Sequence, residues 1–147
     1  MRVRVRVKGA GHEALIYYNS FYMSNYIRSY RDLMAWQKAL ELCLRVYDTT
    51  ETFPPEEAFC LTQQIRRSAI STPSNIAEGA GRLKPGEFIQ SLDYARGSVF
   101  ETETQVEIAA ARGYTGRPAV DTLFALSDET SRLIMGLVKS IRSNRMR

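Results

Sequence analysis

Apolar residues recur along most of this chain at alternating spacings of three and four, the period of an amphipathic helix. Four such stretches stand out. The first runs from about Leu33 to Thr50, with Leu33, Trp36, Leu40, Cys43, Tyr47 and Thr50 as its seam and Asp32 as its N-cap. Phe53-Pro54-Pro55 ends it, and Pro55, Glu56 and Glu57 suit the first turn of a second helix reaching about Ala80. Leu61, Ile65, Ala69, Thr72 and Ile76 form that helix's inward stripe. Pro73 removes a backbone donor beside the Ala69 carbonyl and predicts a kink. Gly79 and Gly81 predict a left-handed stop.

The third helix spans about Pro85 to Arg112, with Phe88, Leu92, Ala95, Val99, Val106 and Ala109 on its stripe. Gly97 and Ser98 fall in its middle. A mid-helix glycine costs roughly 1 kcal/mol against alanine, so close approach of a neighbouring helix is expected there. Gly113 ends this helix. The fourth starts near Pro118 and carries Val120, Leu123, Ser127, Thr130, Ile134, Leu137 and Ile141, with Ser127 and Thr130 as polar interruptions. Four long helices with short connections predict an all-α fold over residues 31–147, an up-down-up-down antiparallel four-helix bundle with a kinked second helix.

Residues 1–30 read differently. Arg2 to Val7 alternates Arg and Val with a strand period of two, no partner strand is evident, and a tyrosine-rich stretch follows. Three readings stand open: a disordered basic arm, an extension ahead of a start at Met23, or a nucleic-acid-binding tail. Charge separates this segment from the rest. Arg2, Arg4, Arg6, Lys8 and Arg28 face only Glu13, whereas cations and carboxylates balance over the remaining residues of a chain with net charge +4. A nucleic-acid argument for the body must therefore rest on local patches.

The chemistry-bearing residues are few. His12 is the one histidine and falls in the N-terminal segment, which argues against histidine-based catalysis and His-rich metal sites. Glu101, Glu103 and Glu107 lack the Glu-x-x-His pairs of a di-metal bundle, so neither metal nor cofactor is expected. Cys43 and Cys60 lack metal-site spacing and read as small buried hydrophobes, as Trp36 and Tyr47 read as core. No apolar run approaches the roughly 20 residues needed to span a bilayer, so a cytoplasmic protein with no membrane partner is expected.

Several short motifs occur in one order: Asp32-Leu33 through Trp36-Gln37-Lys38-Ala39, Phe53-Pro54, Leu61-Thr62-x-Gln64-Ile65-Arg66-Arg67, Ser74-Asn75-Ile76-Ala77-Glu78-Gly79, Gly81-Arg82, Glu87-Phe88 and Ala95-Arg96-Gly97-Ser98. In these the chain resembles the 23S rRNA-intervening-sequence proteins, the small bacterial four-helix-bundle or S23 ribosomal protein-like family, from about Arg31 to Ile141. The resemblance implies a ring-like homopentamer and no established enzymatic activity. It also implies kinship with the accessory protein of diversity-generating retroelements, a basic pentamer that binds nucleic acid and a reverse transcriptase. Two positions depart from the family pattern. Lys84 stands where a Ser or Thr would form a capping box with Glu87, and Cys60 replaces a small residue before Leu61.

Arg66, Arg67, Arg82 and Arg96 are the candidate nucleic-acid contacts. Arg66 and Arg67 diverge by about 100° on a helix, and pairing with Glu101 or Glu103 is the competing reading. Pro73, Asn75, Glu78, Gly79, Gly97 and Ser98 are the structural signature. Asn75 is placed to reach a backbone group near the proline, or with Glu78 to face a pore. Glu78 and Arg82 are spaced for a surface ion pair. Ser68, Ser71 and Ser74 form a strip with no accompanying base, which excludes a nucleophile array. The last turns, with Arg142, Arg145 and Arg147, read as capping charge. The inventory argues against an enzyme and favours two functions: an oligomer that binds RNA or DNA through arginines of the second and third helices, or a protein-interaction scaffold.

Overall fold

The computed structural model describes residues 2–9, 12–19 and 29–145, with side chains from Ser29 to Ser143. Its body is an all-α four-helix bundle: α1 (Met34–Thr50), α2 (Leu61–Ala80), α3 (Pro85–Ala111) and α4 (Arg117–Arg145). Each helix packs on its two sequence neighbours, and α1 closes the ring against α4. Short connections make successive helices antiparallel. The proximal end of the bundle thus holds the start of α1, the α2–α3 turn and the end of α4. The distal end holds the α1–α2 connection and the α3–α4 turn.

Ahead of the bundle, β1 (Arg2–Gly9) pairs antiparallel with β2 (His12–Asn19) in a register from Arg2↔Asn19 to Gly9↔His12. The strand period of Arg2–Val7 therefore has a partner strand in β2. Met23, Tyr22 and Tyr26 lie outside the described residues.

The stripes predicted for α3 and α4 are the buried ones, apart from half-buried Ile141. That of α1 is rotated by about one residue. Ala35, Ala39, Leu42, Cys43, Val46 and Thr50 face inward, while Leu33, Trp36 and Leu40 are half-buried and Tyr47 is exposed. Alanines allow close helix approach, so contact with the neighbours, not side-chain size, selects the seam. Asp32 is not the N-cap. It lies in a 3-10 turn, Tyr30–Asp32, capped by Ser29, and Leu33 in an extended conformation precedes α1.

Pro55 starts only a 3-10 turn, Pro55–Glu57, and α2 begins six residues later. Glu57 bridges the gap by accepting from the Leu61 N–H at 3.1 Å. Leu61 is half-buried, and Thr62 takes the inward place. Pro73 lies buried inside a helix that continues across it. Gly79 and Gly81 do not adopt a left-handed conformation; Gly81 has φ −83°. Gly79 serves packing instead, since a Cβ there would lie 2.6 Å from Phe88 Cδ2 and 2.7 Å from Ser91 Cβ. Gly113, with φ +74°, is the left-handed stop of α3. The Gly113 and Tyr114 N–H groups return to the Ala110 and Ala109 carbonyls, both at 2.9 Å, which is a Schellman closure.

The core divides into a proximal cluster around Ile76, Leu92, Val99 and Ile134 and a distal one around Leu42, Ile65, Val106 and Leu123. Between them lies a layer of buried hydroxyls: Ser68 and Thr72 on α2, Ser98 and Thr102 on α3, Ser127 and Thr130 on α4. Thr72, Thr102 and Thr130 each donate to the carbonyl four residues back, at 3.3, 2.9 and 2.7 Å. Ser68 Oγ lies 2.8 Å from Thr102 Oγ1 and donates to Gln105 Oε1 at 2.7 Å. The polar interruptions in α4 thus belong to a layer that spans three helices.

Candidate nucleic-acid interface

The helices carry the four candidate arginines to different places. Arg66 sits on the α1–α2 edge, its Nε donating to Thr50 Oγ1 at 2.8 Å and its guanidinium 4.8 Å from the centre of the Tyr47 ring. It meets α1 rather than Glu101 or Glu103. Arg67, one position on, is exposed and makes no bond or ion pair with the described residues. Arg82, past the end of α2, pairs with Glu78 as the spacing predicts. Arg96 lies on the α3–α4 edge, across the bundle from Arg66. Its Nε donates to Ser131 Oγ at 3.3 Å, and its guanidinium stands 5.0 Å from the Phe100 ring centre. No single patch contains all four.

Among the signature residues Asn75, Gly79 and Ser98 bond or pack within the subunit, with Gly97 the exception. The Asn75 Nδ2 donates to both the carbonyl and the hydroxyl of Ser71, each at 2.9 Å. Ser71 Oγ in turn lies 2.9 Å from Ser98 Oγ on α3. Asn75 therefore secures the turn around Pro73, although the carbonyl it holds is that of Ser71 and not of Ala69. Gly97 is exposed, and a Cβ built on it meets nothing within 4 Å, so no helix among the described residues approaches there. Of the serine strip, Ser68 is buried, Ser71 half-buried and Ser74 exposed. Cys43 is buried, and burial pushes its thiol up, but Cys60 is exposed at the start of α2, against expectation.

Arg96 has company that the sequence reading missed. A groove of about 460 Å³ runs along the α3–α4 edge, lined by Arg96, Phe100 and Glu103 from α3 and by Asp128, Ser131, Arg132, Met135, Gly136 and Lys139 from α4. Arg132 pairs with Asp128 at 3.0 Å. Lys139 has no such partner among the described residues. Burial raises the Glu103 carboxyl above the usual range, and the nearby Asp128 adds to the shift. The signal was available in the sequence: Asp128, Arg132, Met135 and Lys139 recur at three and four along the outer face of α4.

Charge also separates along the bundle axis. At the proximal end Arg31, Arg82, Lys84, Lys139 and Arg142 outnumber Asp32, Glu78 and Glu87, and α4 holds no carboxylate after Glu129. At the distal end Asp48, Glu51, Glu56, Glu57, Glu107 and Asp121 outnumber Arg45, Arg112 and Arg117. The groove's cations lead toward the basic end. Among the described residues no three His, Cys, Asp or Glu side chains gather as a metal site, and no helix is long and apolar enough to cross a membrane.

Comparison with known proteins agrees with this architecture. Residues 31–136 match the family described as 23S rRNA-intervening sequence protein. The fold is similar to the crystal structure of a protein of unknown function from the S23 ribosomal protein family of Bacteroides thetaiotaomicron, with a TM-score of 0.67 and 26% identity over 72% of this chain and 99% of that one. No curated protein matches.

Proposed function

This chain belongs to the 23S rRNA-intervening sequence protein family, and from that premise we propose that it is a non-enzymatic bundle that binds nucleic acid, RNA or DNA, with its proximal end and the α3–α4 groove. The observation that carries this reading is the axial separation of charge: a balanced body still presents a basic end when its cations collect where α2, α3 and α4 meet. Contacts would be to the phosphate backbone, from Arg82, Lys84, Arg96, Lys139 and Arg142. Arg66 and Arg67 stand in the distal half, so they are not contacts on this reading. Residues 31–147 form the bundle, residues 1–30 an appended basic arm, and the protein works in the cytoplasm without a cofactor.

Fluorescence anisotropy with labelled structured RNA and duplex DNA tests the proposal. Between about 50 mM and about 200 mM salt the affinity should collapse, as counterion release requires. Lys139→Ala/Arg142→Ala should weaken binding with the helical melt unchanged, and Arg66→Ala/Arg67→Ala should not. Salt-independent affinity, or the reverse ranking of the two variants, refutes it.

A second reading, a protein-interaction scaffold, is favoured by one feature. On the α1–α2 edge Leu44 is 56% exposed, Ile70 44% and Tyr47 38%. Uncovered apolar side chains in one neighbourhood suit a protein contact. The edge lies opposite the groove, so it can serve the homo-oligomer, a pentamer by resemblance, while the groove faces a polyanion.

A further inference from the structure

The α3–α4 groove carries three features that a phosphate contact does not use. Phe100 lines it and is 45% exposed, with the Arg96 guanidinium 5.0 Å from its ring centre. Glu103 is half-buried there, yet among the described residues it pairs with no cation and accepts from no donor, whereas its neighbour Asp128 is answered by Arg132 at 3.0 Å. Gly136 lies inside α4 with an ordinary helical backbone, and a Cβ built on it would meet nothing within 4 Å. A glycine inside a helix costs stability against alanine, and no packing among the described residues requires this one.

We propose that the groove takes one unstacked base of a single-stranded nucleic acid, a base with an exocyclic amino group; the inference deepens the nucleic-acid reading above and rests on it. Bases stack on aromatic rings and on guanidinium planes, which Phe100 and Arg96 supply. A carboxylate repels phosphate, but it accepts from the amino group of cytosine, adenine or guanine. Uracil turns carbonyl oxygens toward such a group instead. Glu103 therefore selects for the amino-bearing bases, and Gly136 leaves room for a flat ring to come close to the α4 backbone. Lys139, which has no carboxylate partner among the described residues, is left to meet a flanking phosphate. A paired, stacked base cannot enter without leaving its helix, so the strand must be single there. The volume of about 460 Å³ suits a nucleotide rather than a duplex, since small-molecule sites span about 300–1,000 Å³.

The test measures binding of the full chain to labelled oligocytidylate and oligouridylate of equal length. The unaltered chain should prefer oligocytidylate by about tenfold, the order expected of one hydrogen bond to a charged group. Glu103→Gln offers an amide donor beside its acceptor, so the preference should fall to about threefold or less. Gly136→Leu fills the groove and should weaken oligocytidylate binding by about tenfold with the helical melt no lower. Gly97→Leu, outside the groove, should bind like the unaltered chain. A preference for cytosine that survives Glu103→Gln, or an affinity untouched by Gly136→Leu, overturns the inference. If Lys139→Ala/Arg142→Ala still weakens binding in that case, the proximal-end reading stands. If the unaltered chain binds no nucleic acid at low salt, both fall. Cytidine monophosphate forms the last arm: if it binds as tightly as oligocytidylate, the groove is a site for a free nucleotide and the single-strand reading is overturned.

Discussion

Two glycines show how far a residue's role depends on its surroundings. Gly79 and Gly97 both sit in helices and both look costly in a sequence. Around Gly79 the space is filled: a Cβ would press on the base of Ser91 and on the Phe88 ring, neither of which is the free end of a flexible chain. Gly79→Ala should destabilise the bundle by about 1–3 kcal/mol, the usual cost of overpacking. Gly97 has open space and an ordinary helical backbone, so Gly97→Ala should stabilise by up to about 1 kcal/mol. Urea melts of the two variants should shift in opposite directions, and a shift in the same direction would show that one of the two environments is misassigned. Arg66 teaches a similar lesson. Its planar fork suits carboxylate and phosphate alike, yet here it settles on a threonine hydroxyl and a tyrosine ring of α1, because Thr50 and Tyr47 come within its reach.

Among the elements, the helices were legible and their junctions less so. The stripes of α3 and α4 follow from spacing alone, because a long run of apolar positions leaves one choice of face. The stripe of α1 did not, since it offers two candidate faces, one bulky and one built on Ala35 and Ala39, and only the neighbouring helices decide between them. The α4 half of the groove follows from the recurrence of Asp128, Arg132, Met135 and Lys139, but no local pattern pairs it with Arg96, Phe100 and Glu103 of α3. Pro55, Glu56 and Glu57 carry the marks of a first turn, so the sequence predicts helix where the α1–α2 connection runs. Glu57 instead ties two connections together: it caps α2 at Leu61 and accepts from the Tyr114 hydroxyl of the α3–α4 turn at 3.0 Å, while Arg112 Nε donates to the same hydroxyl at 3.2 Å. The Leu61 N–H chiefly, with the Tyr114 hydroxyl, holds the Glu57 carboxyl below its ordinary range. A carboxyl lowered in the folded state stabilises above its unfolded value of about 4.3, and that contribution fades as pH falls through the folded value. Glu57→Ala should therefore melt below the unaltered chain at neutral pH, and the gap should close in acid below about pH 4. A gap that persists undiminished at low pH would mean that the carboxylate's charge is not what matters.

For the whole molecule, the α1–α2 edge and the groove lie on opposite sides, so the proposed assembly and the proposed nucleic-acid binding can be tested by separate mutations. Leu44→Glu/Ile70→Glu places charge on the exposed apolar edge, and sedimentation should report smaller particles with the helix content intact. Unchanged sedimentation would remove that edge from any self-association. The hydroxyl layer has a consequence of its own for how the rods are set against one another. Grease on grease is indifferent to sliding, but a helix displaced by one turn, about 5.4 Å, would carry its threonines and serines into a hydrocarbon stratum and draw hydrocarbon into the stratum they left. Through Ser68 reaching Thr102 and Gln105, the layer therefore works as a vernier for α2 against α3. It has no contribution from α1, whose height is instead marked by the Lys38 ammonium reaching Glu129 of α4 at 3.3 Å.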